Sequence, residues 1–239
     1  MTCRTLPDLE ALEDRLVLST FKVNTTLDTV AASLKTGKDA SGHISLRSAI
    51  MAANASAGAD TIIVPQGTFA LTIPGAGEDG DATGDLDITG GKLTIEGKGA
   101  GKTIIDGNQL DRVIDVLGGN VSISKLTIQD GRADQGAGIL NQGASLTLTS
   151  VTIANNLAIG TSGATGAAGT PGDVGTNGGT GGAGEDAIGG GIYNQAGKLT
   201  IVGSVIASNR AIGGNGGNGG SGGNGTGSGG ISGSNGRSA

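Results

Sequence analysis

The residues best suited to chemistry are acids and arginines near the middle of the chain: Asp106, Asp111, Arg112, Asp115, Asp130 and Arg132. Carboxylates gathered on one face, with Ca2+ or an arginine or lysine base, remove the proton beside a uronate carboxyl. Two acids placed across a cleft hydrolyse a glycosidic bond instead. Asp106 and Asp130 lie 24 residues apart, close to the length of the repeat described below, so with Arg132 they are the catalytic candidates. Each is followed by glycine, however, and Asp-Gly is ordinary turn chemistry, the stronger of the two readings. A second acidic set, Asp79, Asp81, Asp85 and Asp87 around Gly84, offers oxygen ligands to a hard cation such as Ca2+, with a plain acidic surface loop as the alternative. Asp186 is a further candidate oxygen ligand. His43 is the only histidine and Cys3 the only cysteine. Histidine-rich zinc sites, most His-activated nucleophiles, cysteine metal sites and a disulfide framework are therefore excluded.

Positioning such residues falls to a repeat. GAGILNQGASLTLTSVTIANNLAIG at 136–160 matches GGGIYNQAGKLTIVGSVIASNRAIG at 189–213 without a gap, at an offset of 53. Within it, residues 161–188 are a glycine-rich insert of 28 residues. Removing the insert leaves 25, the same offset that carries VSISKLTIQDGRA at 121–133 onto LTLTSVTIANNLA at 146–158. Fixed-offset self-similarity marks units that bury their apolar faces only against neighbouring copies. In SLTLTSVTI, apolar Leu146, Leu148, Val151 and Ile153 alternate with Thr and Ser, as in short strands broken by a bend near Thr149 and Ser150. Corners fall at ANN (154–156) and ASN (207–209), where Asn tolerates the left-handed conformation. Short strands, Asn and Gly corners and the absence of a leucine-rich pattern predict an all-β chain folded as a parallel β-helix. Asn141 and Asn194 occupy equivalent places, either as rungs of an internal amide ladder or as caps of their own turns.

Composition narrows the partners. The chain has 50 Gly, two Phe, one Tyr and no Trp in 239 residues, so any core must be built from small and β-branched side chains. Net charge is −6 and no basic run occurs, which argues against nucleic acid. No apolar run has the length of a membrane span. In the segment from residue 21, Leu46, Ala49, Ile50 and Ala53 recur at helical spacing behind Ser45 as N-cap, with Arg47 and Asn54 off the stripe. Such a helix suits a lid over the open end of a stack of strands. For Arg47, a salt bridge or a solvated face is favoured over substrate binding.

Several motifs carry resemblances. LEDRLVLS at 12–19 is similar to the short Leu-Glu-x-Arg element near the start of exported and surface proteins of planctomycete-type bacteria, although the segment also reads as a short amphipathic helix. ISLRSAI at 44–50 with AAN at 52–54 resembles the Cys-Ser-Leu-Arg-Glu-Ala signature of CSLREA domains, with Cys and Glu replaced. DTIIVPQGTF, GDLDI, LTIEGKG, IIDG and LTIQDG extend that resemblance over 21–213, and GGGIYN at 189–194 is similar to the repeats of chlamydial polymorphic outer-membrane proteins. These resemblances imply a right-handed parallel β-helix on a secreted or surface-displayed protein. DGDATGDLD resembles the start of an EF-hand loop, but its twelfth position is Gly90, not Glu; GGAGEDAIG fits one copy of the calcium nonapeptide that normally occurs in series.

The organisation expected is an export-like element at 1–20, a capping segment at 21–75, strand coils at 76–213 interrupted by the insert at 161–188, and a Gly/Asn/Ser-rich tail at 214–239. Gly recurs at every third position from 160 to 184 and again from 213 to 225, a triplet pattern shared by collagen and polyglycine II. With Pro171 as the only proline in either tract, collagen is disfavoured, and an excursion from one corner of the coil is preferred. The tail, without a capping coil, fits a flexible or unfinished end. The function expected is a non-enzymatic structural or adhesive module that binds a surface glycan or a protein. A polysaccharide lyase or hydrolase is the alternative.

Overall fold

The repeat spacing reappears as the spacing of paired strands. The computed structural model describes residues 18–171 and 176–223. The element at 12–19 and the end of the tail lie largely or wholly outside these residues. Among the described residues the chain forms 18 short strands and one α-helix, and every strand-to-strand pairing is parallel. A six-stranded sheet takes Thr20–Lys22, Ala59–Ile63, Lys92–Glu96, Asn120–Ser124, Ser145–Thr149 and Lys198–Val202 in that order. A five-stranded sheet takes Gly67–Ala70, Thr103–Asp106, Thr127–Gln129, Thr152–Ala154 and Val205–Ala207. Leu86–Ile88, Ile114–Val116, Ile139–Asn141 and Ile192–Asn194 make a four-stranded sheet; Arg132–Ala133, Leu157–Ile159 and Arg210–Ile212 make a three-stranded one. From Ala59 onward the chain visits these sheets in a fixed order and returns to each. The segment expected as a cap thus contributes strands as well as the helix.

Register follows the sequence offsets. Leu146 pairs with Val121 on one side and Leu199 on the other; Ile153 pairs with Ile128 and Ile206. Like therefore lies over like, and alternation sends Leu93, Ile95, Val121, Ile123, Leu146 and Leu148 inward, each 3% exposed or less. Corners stack in the same way. Lys125, Ser150 and Gly203 follow three paired strand ends and have φ of 56°, 54° and 55°; Asp130, Asn155 and Ser208 follow another three, at 54°, 60° and 58°. A left-handed residue costs less than a broken ladder, so the turn is repeated rather than relaxed.

Buried amides tie the corners together. Asn141 Nδ2 donates to Asn194 Oδ1 at 2.6 Å, while its Oδ1 accepts from the Ala144 N–H at 2.9 Å. Ladder and cap are thus both present. A second ladder was not anticipated: Asn156 Oδ1 accepts from the Gly131 N–H at 2.8 Å, and its Nδ2 donates to Asn209 Oδ1 at 2.9 Å. Asn156 in this way joins three successive repeats.

The helix Leu46–Asn54 begins at Ser45, whose side chain accepts from the Ser48 N–H while Ser48 Oγ accepts from the Ser45 N–H. Leu46, Ala49, Ile50 and Ala53 join the core as the periodicity predicts. Arg47 is buried as well, 1% exposed, and pairs with Asp28 at 2.6 Å.

The glycine tracts depart from the expected free excursion and unanchored tail. Three segments pack side by side: 160–171 runs outward, 176–188 returns, and 213–223 runs out again. Gly163, Gly166 and Gly169 N–H donate to the carbonyls of Asn215, Asn218 and Ser221; Gly179 and Gly182 donate to Ala167 and Ala164; Gly214, Gly217 and Gly220 donate to Glu185, Gly182 and Gly179, all at 2.7–2.8 Å. The result is a three-membered bundle of the polyglycine II kind, with one antiparallel member, unlike collagen. A side chain at the inward positions would overlap a neighbour's backbone, which is why glycine recurs at every third place.

Two outcomes follow. Asn156→Ala leaves the buried Gly131 N–H without its partner and removes the side-chain rung to Asn209 Oδ1, which keeps only the backbone N–H of residue 156; it is expected to lower stability by roughly 1–3 kcal/mol in urea denaturation, and a loss under about 0.5 kcal/mol would show that the ladder is not stabilising. Gly217→Ala, whose methyl would meet the Ala164 carbonyl oxygen, should speed amide exchange at Gly163, Gly166 and Gly182 while leaving the melting temperature of the strand stack unchanged.

Candidate functional site

Period-2 alternation that sends Leu86, Ile88, Ile114 and Val116 into the core sends the residues between them, Asp87 and Asp115, to the outer face of the four-stranded sheet. These two carboxylates are register partners, and the outward column continues through Leu140 to Tyr193. Asp85 precedes the first of these strands. On this face the acids are largely covered by their neighbours: Asp85, Asp87 and Asp115 are 4%, 1% and 3% exposed. A cleft of about 690 Å3 runs over it, lined by Glu78 and Asp79 from one loop, Asp111 and Arg112 from the next, Arg132 and Asp134, and the base of the glycine bundle at Gly160 and Thr161.

The loop carrying this acidity is held from below. Arg47 Nη1 donates to the Asp85 carbonyl and Nη2 to the Gly84 carbonyl, both at 2.7 Å. Gly84 has φ of +65°, and a Cβ there would meet the Gly75 carbonyl and Asp111, so the tight turn requires glycine. Asp81 is consumed structurally: its Oδ1 accepts from the Asp87 N–H at 2.7 Å and its Oδ2 from Asn54 Nδ2 at 2.9 Å. Arg47 is thus a buried structural residue, as its salt-bridge reading anticipates.

One cation bridges the acids. Arg112 Nη1 donates to Asp85 Oδ2 at 3.0 Å and to Asp115 Oδ2 at 2.8 Å, and Gln142 Nε2 donates to Asp115 Oδ2 at 2.9 Å. Asp115 Oδ1 is buried and, among the described residues, has no hydrogen-bond partner. Burial and mutual repulsion raise the group together. Burial, then neighbouring Asp85 and Asp81, push Asp87 up to about 8. Asp85, buried beside Asp111, rises to about 7 despite Arg112. Asp81 also rises to about 7, chiefly through burial. Asp111 and Asp115 are raised by the same cause.

The expected candidates are dispersed by comparison. Asp85 and Asp87 from the acidic set join Asp115, whereas Asp79 is exposed on the cleft rim and Asp186 is exposed in the returning glycine segment. Asp106 pairs in register with Gln129, not with Asp130. Asp130 sits one place on, at a left-handed corner, and Gln129 Nε2 donates to both Asp106 Oδ2 and Asp130 Oδ2 at 2.9 Å. Arg132 is exposed between the acidic cleft and a smaller groove that Asp130 lines. The Asp85–Asp87–Asp115 grouping was legible in principle, because LDI and IDV are the same three-residue pattern in consecutive repeats.

Comparison with family models, with curated proteins and with solved structures finds no match. What the site does must therefore come from its own geometry. Among the described residues, no helix is long and apolar enough to cross a membrane.

Because Asp81, Asp85 and Asp87 hold protons in the folded state above the ordinary carboxylate value of 3.8, the folded chain binds more protons than the unfolded one between about pH 4 and 8. Stability in chelator-treated buffer should consequently fall as pH rises through that window. Thermal melts at several pH values check it, and Asp87→Asn should flatten the slope; a stability that rises from pH 5 to 8 would contradict it.

Proposed function

We propose that the chain is a right-handed parallel β-helix on a secreted or cell-surface protein, acting by binding rather than by catalysis. Coil closure supports the fold: the chain returns to the same sheets in the same order with register shifts equal to its sequence repeat. Parallel crossover connections are right-handed in about 98% of cases, which supports the hand. The resemblance of 44–54 to CSLREA domains and of 189–194 to outer-membrane repeats supports surface display.

The observation that carries the binding role is a column of hydroxyls. On the outer face of the six-stranded sheet, Thr20, Thr61, Thr94, Ser122, Thr147 and Thr200 are mutual register partners. Strand spacing sets these groups about 4.8 Å apart, roughly the length of one sugar ring in an extended polysaccharide. Asn120 and Ser145 stand beside the column, with Lys92 and Lys198 above and below. Phe21 and Phe69 are in the core, so this face recognises a ligand through hydrogen bonds rather than ring stacking. A flat row of equivalent donors and acceptors matches a polymer whose own hydroxyls repeat, in keeping with an adhesive module.

Catalysis is less well served. The pair Asp106 and Asp130 shares the Gln129 amide, which occupies the position directly over Asp106.

The test is retention of purified protein on immobilised neutral and uronate polysaccharides, with product absorbance followed in parallel. Retention that falls at least about tenfold in the Thr94→Val, Ser122→Ala, Thr147→Val triple variant and is unchanged in Asp106→Ala supports the reading. Unsaturated products lost in Asp106→Ala or Asp130→Ala would replace it with a lyase. Failure of every polymer to retain the protein would refute the glycan-binding role.

A further inference from the structure

We propose that Asp85, Asp87 and Asp115 bind one hard divalent cation, Ca2+ in preference to Mg2+, on the outer face of the four-stranded sheet. The hydroxyl column lies on a different sheet, so this inference stands independently of the binding role argued above. Among the described residues, these three are the group of acids close enough to share an ion, with one carboxylate oxygen of each within 4.8 Å of the others. That spread fits a common ion, since two oxygens on opposite sides of a Ca2+ at about 2.4 Å are about 4.8 Å apart.

Clustering alone would be weak ground; buried acids also gather around arginines. The decisive feature is Asp115. Its Oδ2 is fully engaged by Arg112 and Gln142, yet its Oδ1, on a residue 3% exposed, has no donor. A buried carboxylate oxygen without a partner is costly, and carboxylates so placed are found paired or on a metal. Nearby cations do not supply the need. Arg112 already bridges Asp85 and Asp115, and Arg47 is committed to Asp28. When all three acids are ionised, Arg112 leaves an excess of two negative charges, the charge of one divalent ion.

The surroundings select the kind of ion. All three ligands are oxygen, with no His or Cys in the group, which favours a hard cation over zinc. The cleft above the face is open and lined by Gln142, Asp111 and Asp134, so solvent can complete an irregular shell of six to eight oxygens. Mg2+ demands a tighter octahedron at about 2.1 Å and gives up its water reluctantly. Asp87 and Asp115 come from adjacent repeats and Asp85 from the loop that Arg47 holds, so the ion would link two repeats to the cap.

The chain reports on this site directly. It has one Tyr and no Trp. Tyr193 stands in the same outward column as Asp115, two strands away through Leu140, a distance of about 10 Å. Tb3+, which takes Ca2+ sites, should therefore luminesce when Tyr193 is excited, and Ca2+ should displace it. Titration of the full chain by calorimetry is expected to show one Ca2+ per chain. Asp115→Asn and Asp87→Asn should each weaken binding by at least about tenfold, whereas Asp106→Asn should leave it unchanged. Tyr193→Phe should abolish the luminescence and keep the Ca2+ affinity. Circular dichroism establishes that each variant is folded, and Asp85→Asn replaces any that is not. Absence of Ca2+ binding at millimolar concentration, or binding that survives both Asp115→Asn and Asp87→Asn, would overturn the proposal.

Discussion

A parallel ladder between strands one repeat apart places every side chain on its counterpart, and each requirement of the structure is multiplied by that stacking. An inward isoleucine meets another inward isoleucine; a corner that needs a left-handed residue needs one again in the next repeat. The core is consequently narrow and aliphatic, and the two aromatic rings within it, Phe21 and Phe69, both lie in the first repeats, near the helix. Apolar burial supplies the cohesion, but register supplies the specificity, because a slip of one residue would turn the core columns outward.

Polar groups inside such a stack are tolerated only where stacking also satisfies them. Asn141 over Asn194 and Asn156 over Asn209 each offer an amide donor to the amide acceptor of the next repeat and spend their remaining capacity on corner backbone. Arg47 solves the corresponding problem at the helix end, where carbonyls of the acidic loop converge on its guanidinium and Asp28 balances its charge. Asp115 is the departure from this pattern. Its unmatched oxygen lies where two repeats and the loop held by Arg47 meet, on a face lined by acids.

Much of the stack could be read from the residues. The offsets of 25 and 53 reappear as hydrogen-bonding partners, the bend near Ser150 is a left-handed corner, and Ser45 caps the helix that the apolar stripe predicts. The early repeats were harder to see because their loops differ in length, so LDI and IDV do not align at the later period. Asp87 and Asp115 thus read as members of separate sets until pairing brought them together. Asp106 and Asp130 misled in the opposite sense: their spacing approximates a repeat, but the register is one residue shorter and places Gln129 over Asp106. The glycine triplets pointed to a polyglycine II pattern, but which segments pair was hidden for a different reason. A single tract carries no information about its partner, and the hydrogen bonds that define the bundle join segments that share only their triplet period.

That bundle grows by rules of its own. Its three members are bonded in triplets and separated from the strand register, so the arm can change length without disturbing a single core contact. The change must be quantised, however: three residues added to the outgoing segment call for three in the returning one, and three more from the final segment to keep every inward glycine paired. Insertions of other sizes would put side chains where backbone must pass. Length variation in this arm, if it occurs among proteins of this type, should therefore come in multiples of three and be correlated between stretches far apart in the chain.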